Sequence, residues 1–245
     1  MSETVIVTGG SSGIGLAVAE AFRRHGKKVV SVDRSPSSAA HHSVVGDVRD
    51  WRPHQEAVAE ATKIGTLTAL VANAGMHDGG LDLEEEPSRF AHSANDIVTI
   101  NVVGYLLAIH AAAKQLRKNR GSIVLTLSDA AFTAGHVTGA GIAYTASKHA
   151  GRGILAWAAA ALAPEVRVNA VAPGGIVTNL AVPGVDRDRP RFTDPAAQAE
   201  LIRSRNPLGT VQTPEEIAEL YLFLCSAACR AMTGQSLRSD GGHGL

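Results

Sequence analysis

One stretch near the start of the chain decides the fold: Thr8-Gly9-Gly10-Ser11-Ser12-Gly13-Ile14-Gly15. A short apolar run, Val5 to Thr8, leads into it, and an amphipathic run, Leu16 to His25, follows it. This order predicts a strand, a tight glycine turn and the start of a helix. Glycines let backbone N–H groups approach a pyrophosphate, and the helix N-terminus offers a partial positive charge. The spacing differs from the usual G-x-G-x-x-G, so a purely structural turn is the alternative.

Short apolar runs alternate with stretches of helical period along the rest of the chain. The predicted strands are Val5 to Thr8, Lys28 to Val32, Thr68 to Ala72, Ser122 to Thr126 and Arg167 to Val171. This alternation predicts an α/β fold, a doubly wound parallel sheet with helices on both faces. Ligands of such folds bind outside the carboxyl ends of the strands. We therefore expect functional residues directly after strands, in a single Rossmann-like domain over residues 1–245.

Composition narrows the classes of partner. The 245 residues are 45% apolar, which suffices for one sizeable core. Lysine plus arginine equals aspartate plus glutamate at 23 each, so no net charge favours a nucleic acid or an anionic membrane. We find no window with the roughly 18–20 apolar residues of a membrane helix and no signal peptide. These observations predict a cytoplasmic protein that acts on a small molecule.

The residues that commonly bind metals show no ligand spacing. The two cysteines, Cys225 and Cys229, lie four apart in a helical pattern, with no second pair to complete a site. The ten histidines are scattered along the chain. We predict buried cysteines and no metal site.

The residue that ends the second predicted strand bears on the choice of cofactor. Asp33 lies eighteen positions after Gly15. A carboxylate there can accept hydrogen bonds from both hydroxyls of an adenosine ribose, and it would repel a 2′-phosphate. Arg34 follows directly and could instead pair with that phosphate. The pattern favours NAD, with NADP as the alternative.

Tyr144 and Lys148 are four positions apart in a stretch of small residues with helical period, so their side chains project from one face. A free tyrosine has a pKa of about 10, and a nearby ammonium lowers the pKa of such a phenol. The tyrosine could then take the proton of an alcohol as hydride leaves the same carbon. Taken alone, this pair is more typical of a solvated helix face than of a catalytic site.

The helix predicted to carry Tyr144 continues through Trp157 and the alanine run Ala158 to Ala161. Small residues allow a second helix to approach closely. We predict that this part of the helix lies in the core or at a subunit interface.

A set of short motifs, in this order and with these separations, resembles the short-chain dehydrogenase/reductase family. The motifs are Thr8 to Gly15, Asn73-Ala74-Gly75, Asn101, Ser128, Tyr144-Thr145-Ala146-Ser147-Lys148 and Pro173-Gly174. The resemblance covers nearly the whole chain. It implies a Rossmann-like sheet of about seven strands, a homotetramer, and an oxidoreductase that acts on alcohols or ketones with NAD.

The resemblance also implies roles for individual residues. Ser128 would orient the substrate oxygen, and Tyr144 would transfer the proton. Lys148 would hold the nicotinamide ribose, while Asn101 would anchor a water that relays protons to Lys148. The expected cofactor-binding residues are Gly9, Ser11, Ser12, Gly13, Ile14, Gly15, Asp33, Arg34, Asp47, Val48, Asn73, Ala74, Gly75, Tyr144, Lys148, Pro173, Gly174, Ile176 and Thr178.

The catalytic serine can be placed in more than one way. At the family's usual spacing it would fall on Ala131, whereas Ser128 lies sixteen positions before Tyr144. Alignment on the predicted strand Ser122 to Thr126 selects Ser128 and lengthens the loop from Ala134 to Ala140. Thr133 is the substitute.

Within the family, four segments are similar to the branch that oxidises aromatic cis-dihydrodiols to catechols. They are Asn101 to Tyr105, Ser122 to Phe132, Tyr144 to Ala150 and Ala172 to Gly175. Other secondary or cyclic alcohols remain open as substrates. A ketone or 3-oxoacyl reductase that uses NAD(P)H and a non-catalytic NAD-binding regulator are the alternative functions.

Two segments rich in loop-forming residues diverge from that branch. Gly135 to Gly141 contains His136, a candidate substrate contact, and Asn179 to Arg191 precedes a polar stretch of helical period through Ser204. We expect the second segment to belong to a substrate loop or lid at about residues 179–209.

Overall fold

The computed structural model describes residues 2–133, 139–177, 180, 182, 194–243 and 245. Within these residues, one parallel sheet has the strand order β3-β2-β1-β4-β5-β6-β7. Its strands are β1 (Glu3–Thr8), β2 (Lys28–Asp33), β3 (His42–Val45), β4 (Thr66–Ala72), β5 (Ser122–Thr126), β6 (Arg167–Pro173) and β7 (Ser236–Ser239).

Helices cover both faces of this sheet. They are α1 (Gly13–Arg24), α2 (Trp51–Ile64), α3 (Pro87–Val98), α4 (Gly104–Asn119), α5 (Ile142–Leu162), α6 (Pro195–Ser204) and α7 (Pro214–Cys225). One core lies between the sheet and α1 and α7, and the other lies between the sheet and α2, α4 and α5. This arrangement confirms the predicted doubly wound, Rossmann-like α/β fold.

The central strands are apolar along their whole length because both of their faces are buried. In β1, Val5 and Val7 pack into the core under α1 and α7, whereas Ile6 packs into the opposite core. Successive side chains of a strand point to opposite faces, so a strand covered on both sides has no exposed positions for polar residues. This burial explains why the apolar runs predicted these strands.

All five predicted strands are confirmed, with ends that shift by no more than two residues. β4 begins at Thr66 instead of Thr68, and β6 continues to Pro173. The sequence did not predict β3 and β7, which are the two edge strands, of four residues each. Most residues of these two strands are partly or fully exposed, so they lack the apolar run that marks a central strand.

Helices α3 and α4 are joined by a π-helical turn, Thr99–Val103, into one helical segment. This segment, Pro87–Asn119, has 33 residues and is long and apolar enough to cross a membrane by length and composition. The expectation that no window reaches this limit was therefore wrong. About half of its most apolar window, 44%, is buried in the protein, and α4 packs against β4. Core helices meet the same test of length and composition.

Candidate functional site

A cavity of about 570 Å³ opens at the carboxyl ends of the strands, close to the point where the strand order reverses between β1 and β4. Such a reversal creates a crevice in which open α/β sheets bind ligands. We call one part the glycine-turn end, which is lined by residues 9–14, 32–35, 46–48 and 73–75. We call the other part the tyrosine end, which is lined by residues 76–77, 126–130, 140, 144, 148, 173–176, 180, 182, 198–212 and 239–243 in part.

The glycine turn leaves backbone donors directed toward the cavity. Gly9 and Gly13 have φ angles of +69° and +53°, a conformation that residues with a Cβ rarely adopt. Helix α1 begins at Gly13, and the side chain of its N-cap residue Ser12 makes no capping hydrogen bond. The first N–H groups of the helix are therefore available to an anion. This cradle fits the pyrophosphate of a dinucleotide.

Gly15 has a packing role behind the glycine turn, and its expected contact with the cofactor stays a prediction. It is not among the residues that line the cavity. A Cβ on Gly15 would overlap the carbonyl oxygen of Gly9 and meet Nδ2 of Asn73 at 2.5 Å. Glycine at this position lets the first turn of α1 close onto the glycine turn and onto the loop after β4.

Asp33 lies where the sequence predicted it, at the carboxyl end of β2 and in the wall of the cavity. Its Oδ2 accepts a hydrogen bond from the backbone N–H of Ser11 at 3.1 Å. Arg34 lines the cavity beside it. Asp33 therefore links β2 to the glycine turn and also presents its carboxylate to the cavity.

Asp47 forms a second acidic position at the glycine-turn end. Burial alone would raise the pKa of its carboxyl, but hydrogen bonds from Arg49 hold that pKa below its ordinary value. The Arg49 guanidinium also pairs with Asp96 at 3.1 Å. Asp47 therefore remains ionised beside the cavity.

Hydrogen bonds among three strand ends make the middle wall of the cavity. The Thr8 hydroxyl accepts from the backbone N–H groups of Asn73 and Ala74, at 3.0 and 3.1 Å. The Asn73 amide donates to the Thr8 carbonyl at 3.2 Å and accepts from the Thr126 hydroxyl at 3.0 Å. These bonds join β1, β4 and β5. The predicted residue Asn73 thus holds the wall in place as well as lining it.

The structure places nearly all of the predicted cofactor-binding residues in one cavity. Those that line it are Gly9, Ser11, Ser12, Gly13, Ile14, Asp33, Arg34, Asp47, Val48, Asn73, Ala74, Gly75, Tyr144, Lys148, Pro173, Gly174 and Ile176. Of the others, Gly15 lies behind the turn, and Thr178 lies outside the described residues.

Helix α5 presents Tyr144 and Lys148 to the tyrosine end, with residue exposures of only 8% and 4%. The Lys148 ammonium lies 5.4 Å from the centroid of the Tyr144 ring and donates to the Thr126 carbonyl at 2.9 Å. The Tyr105 hydroxyl donates to the same carbonyl at 2.7 Å. Burial lowers the pKa of Lys148 to about 7. Lys148 is therefore a cation that can lose its proton near neutral pH.

Asn101 lies in the π-helical turn and is almost fully buried. Its Oδ1 accepts from the Met76 N–H at 2.8 Å, and its Nδ2 donates to the Met76 carbonyl and the Ser147 hydroxyl at 2.9 and 3.0 Å. Ser147 in turn donates to the Tyr144 carbonyl at 2.7 Å. The side chain does not line the cavity, and its expected part in anchoring a water that relays protons to Lys148 stays a prediction. Asn101 positions the loop after β4 and helix α5.

The structure favours Ser128 over the two other candidates for the serine position. Ser128 lines the cavity together with Tyr144. Ala131 is fully buried and has no hydroxyl group. The Thr133 hydroxyl donates to the Asp129 carbonyl at 3.1 Å, and Thr133 does not line the cavity.

Four ionisable residues at or beside the tyrosine end were missed by the sequence analysis. The His77 ring lies 4.4 Å from the Tyr144 ring, centroid to centroid. The Asp78 carboxylate accepts from the backbone N–H groups of Gly141 and Tyr144 at 2.9 and 2.8 Å, which fixes the start of α5. Asp129 and His243 form the remaining pair.

The sequence carried a signal for some of these residues. Asp78 follows Asn73-Ala74-Gly75 closely, and Asp129 is adjacent to Ser128. Polar residues directly after strands are candidates for a site in any parallel sheet. His243 has no such local signal, since only the fold brings the end of the chain to this cavity.

Part of the predicted lid is described. Helix α6 confirms the predicted helical stretch, and its residues Leu201 and Ile202 line the cavity. Residues 183–193 lie outside the described part of the chain, as does His136, so these predictions remain predictions. Over the described ranges, no three His, Cys, Asp or Glu side chains are grouped as metal ligands. Cys229 is buried and Cys225 is partly buried, both as free thiols.

Comparisons with known proteins agree with this geometry. Residues 9–243 match the family model described as enoyl-(acyl carrier protein) reductase. The chain is 36% identical to the 1,2-dihydroxy-1,2-dihydronaphthalene dehydrogenase of Pseudomonas sp. (strain C18), over 99% of this chain and 97% of the relative. It is also 36% identical to the cis-2,3-dihydrobiphenyl-2,3-diol dehydrogenase of Pseudomonas sp. (strain KKS102), over 100% of this chain and 92% of that relative.

A solved structure shows the same architecture. The ligand-free aldohexose dehydrogenase of Thermoplasma acidophilum superposes with a TM-score of 0.82 at 29% sequence identity. The match covers 98% of this chain and 93% of that chain. The similarity in sequence and in structure therefore extends over both ends of the cavity.

Proposed function

The chain belongs to the short-chain dehydrogenase/reductase family and is an alcohol-oxidising oxidoreductase, and on that premise we propose that it oxidises a cyclic cis-dihydrodiol with NAD. One observation carries the proposal: Ser128, Tyr144 and Lys148 meet in a cavity whose other end is the glycine turn. The two relatives described above support the substrate class, because the substrates in their names are dihydrodiols.

The residues present fit a dinucleotide along the cavity. The N–H groups of the glycine turn would hold the pyrophosphate, and Asp33 would accept from the adenosine ribose. Asp47 and Val48 would flank the adenine, and Gly174 with Ile176 would lie beside the nicotinamide. Bound NAD supplies the acceptor for the hydride that leaves the substrate carbon.

Tyr144 is the group that moves the substrate proton. Its phenolate takes the proton from the reacting hydroxyl, and its phenol returns that proton when a ketone is reduced. A positive charge on Lys148 favours the phenolate. Ser128 lines the tyrosine end and orients the substrate there by a hydrogen bond to one of its hydroxyl groups.

Asp33 supports NAD as the preferred cofactor. Its carboxylate can bind two ribose hydroxyls, and it would repel a 2′-phosphate. Arg34 in the same wall offers the opposite preference and supports a second candidate, a ketone reductase that uses NADPH.

The test is a measurement of the absorbance of reduced nicotinamide. The enzyme is given NAD or NADP with cis-dihydrodiols, cyclic alcohols and simple secondary alcohols, and ketones are tested with the reduced cofactors. We expect the highest kcat/KM for a dihydrodiol with NAD. Turnover of simple alcohols alone would remove the substrate class, and a higher kcat/KM with NADPH and a ketone would favour the second candidate.

We also propose that the protein is a homotetramer. Trp157 on α5 is 72% exposed and Leu106 on α4 is 48% exposed, which excludes a place for Trp157 in the core of one chain. Exposed large apolar side chains on neighbouring helices support an interface. In light scattering, Trp157→Glu should lower the mass of the assembly, while Leu83→Glu, at a position 76% exposed outside these helices, should not. A monomeric wild type would contradict the proposal.

A further inference from the structure

Three side chains form a row of hydrogen bonds at the tyrosine end. The Ser128 hydroxyl donates to Oδ1 of Asp129 at 2.7 Å. Oδ2 of Asp129 lies 2.9 Å from Nδ1 of His243, and the two side chains are only 8% and 12% exposed. The backbone N–H of Ala130 also donates to Asp129, at 2.8 Å. All three side chains of the row line the cavity.

The number of protons fixes the direction of these bonds. A serine hydroxyl has one proton and two lone pairs. The Ser128 proton goes to Asp129, and one lone pair accepts from the Ala130 N–H at 3.2 Å. The second lone pair remains for the cavity. An ionised Asp129 accepts at both oxygens, so Nδ1 of His243 must carry the proton that it shares with Oδ2.

The segment after β7 is folded so that the His243 imidazole reaches Asp129. The Arg238 guanidinium donates to the His243 carbonyl at 2.8 Å and to the Asp240 carboxylate. The His243 N–H donates to the Asp240 carbonyl at 3.1 Å. These bonds form a tight turn after β7. His243 is thus joined to a residue 114 positions earlier in the chain.

We propose that His243 is a positioning residue that acts through Asp129 on Ser128. The inference rests on the proposed function, since it assigns a part in the same reaction. The imidazole holds Asp129 as a fixed acceptor, and Asp129 fixes the rotation of the Ser128 hydroxyl. The free lone pair of Ser128 then has one direction, in which it accepts from the second, non-reacting hydroxyl of the dihydrodiol, because the proton of the reacting hydroxyl goes to Tyr144.

Loss of the imidazole donor should affect turnover more than cofactor binding. Without the Nδ1–H group, Oδ2 of Asp129 loses its hydrogen-bond donor in a buried place, so the carboxylate is free to rotate. Ser128 then loses its fixed acceptor. The glycine-turn end is built from other segments of the chain, so its affinity for NAD is retained.

Two substitutions of His243 distinguish the effect of losing the Nδ1–H donor from the effect of losing the ring. His243→Phe keeps a ring but has no donor, whereas His243→Asn keeps an N–H group at the position of Nδ1. We expect His243→Phe to lower kcat for a dihydrodiol by about tenfold to a hundredfold, with an unchanged dissociation constant for NAD. His243→Asn should restore most of the rate. The control is Leu245→Ala, at a residue that is 98% exposed.

A double-mutant cycle tests whether the effect passes through Asp129. In the Asp129→Ala background, His243→Phe should cause no further loss of kcat, because the residue on which it acts is absent. Losses that multiply in the double variant would overturn the proposal. A His243→Phe variant with the wild-type kcat, or a His243→Asn variant as slow as His243→Phe, would also overturn it.

Nitrogen NMR of the histidine side chains measures the hydrogen bond between His243 and Asp129 without any substrate. We expect the wild-type protein, with NAD bound, to show a protonated Nδ1 in His243 whose signal shifts in Asp129→Ala. An unprotonated Nδ1, or a signal that does not respond, would overturn the proposal even if no dihydrodiol is oxidised. Failure of the proposed function would give a different result: the wild-type protein would oxidise no dihydrodiol, although the NMR signal of His243 would be as expected.

Discussion

The two ends of the cavity recognise their ligands by different means. At the glycine-turn end, Asp33, Arg34 and Asp47 line the wall, but the pyrophosphate cradle is made of glycines, serines and backbone N–H groups, and Gly9 and Gly13 carry no side chains that would fill it. At the tyrosine end, ionisable groups are buried beside their partners: the Lys148 ammonium lies 5.4 Å from the centroid of the Tyr144 ring, and Oδ2 of Asp129 lies 2.9 Å from Nδ1 of His243. The glycine-turn end therefore recognises its ligand mainly by shape, and the tyrosine end by the positions of its hydrogen-bond donors and acceptors.

This difference separates the expected effects of substitutions. Added atoms should damage the glycine-turn end, because the backbone must approach the ligand closely. Removed or altered polar atoms should damage the tyrosine end, because its chemistry needs a particular donor or acceptor. Four predictions test this separation.

Tyr144→Phe should have the largest effect. The phenol is needed for proton transfer alone, so we expect kcat to fall by a factor on the order of 10³. The dissociation constant of NAD, measured by titration, should change by less than about twofold. A variant that retains the wild-type kcat would remove Tyr144 from its assigned role, and a large loss of NAD affinity would show that the two ends are coupled.

Gly15→Ala should damage the glycine-turn end through added atoms. The new methyl group would overlap the Gly9 carbonyl, so we expect the free energy of unfolding to fall by about 1–3 kcal/mol, together with the affinity for NAD. Gly153→Ala on α5 is the matched control, because its Cβ would meet no described atom within 4 Å. That control should be neutral or more stable by about 0.5–1 kcal/mol. Denaturant unfolding of both variants measures the two changes in the free energy of unfolding. Equal losses of stability in Gly15→Ala and Gly153→Ala would contradict the packing argument.

Lys148→Met should make the protein more stable at low pH while it abolishes turnover. The pKa of Lys148 is about 7 in the folded protein and about 10.4 in an unfolded chain. The unfolded chain therefore binds more protons between these pH values, and the wild type gains stability as the pH rises through this range. The Thr126 carbonyl keeps Tyr105 as a donor, so no buried acceptor is left unpaired.

The expected gain for Lys148→Met is about 1–2 kcal/mol in the free energy of unfolding at pH 6, and it should disappear near pH 10. Denaturant titrations at several pH values measure it. Lys63→Met is the control, because this lysine is exposed on α2. A loss of stability at pH 6 in Lys148→Met would show that the buried ammonium is stabilised by its surroundings.

Asp33→Ala should have the smallest effect, a change in cofactor preference. It removes the ribose acceptor and the repulsion of a 2′-phosphate, so the ratio of NAD to NADP affinity should fall by about tenfold. Asp50→Ala, an exposed change at the start of α2, should leave the ratio unchanged. An unaltered ratio in Asp33→Ala would place cofactor selection elsewhere, with Arg34 as the next residue to test.

Local patterns in the sequence determined most of the fold and the centre of the site. The strands β1, β2, β4, β5 and β6 were predictable because burial on both faces demands an apolar run. The glycine turn, and the pair Tyr144 and Lys148, were predictable because each depends on spacing within one segment. The edge strands β3 and β7 were missed because exposure removes that pattern.

Only the tertiary structure decided which distant groups share hydrogen bonds. The Asn101 side chain makes hydrogen bonds to Met76 and Ser147, and the Asp78 carboxylate accepts from the backbone at the start of α5. The pair Asp129 and His243 is separated by 114 positions. No periodicity or spacing encodes such contacts, because a hydrogen bond requires two groups within about 3 Å in space and sets no condition on their distance along the chain.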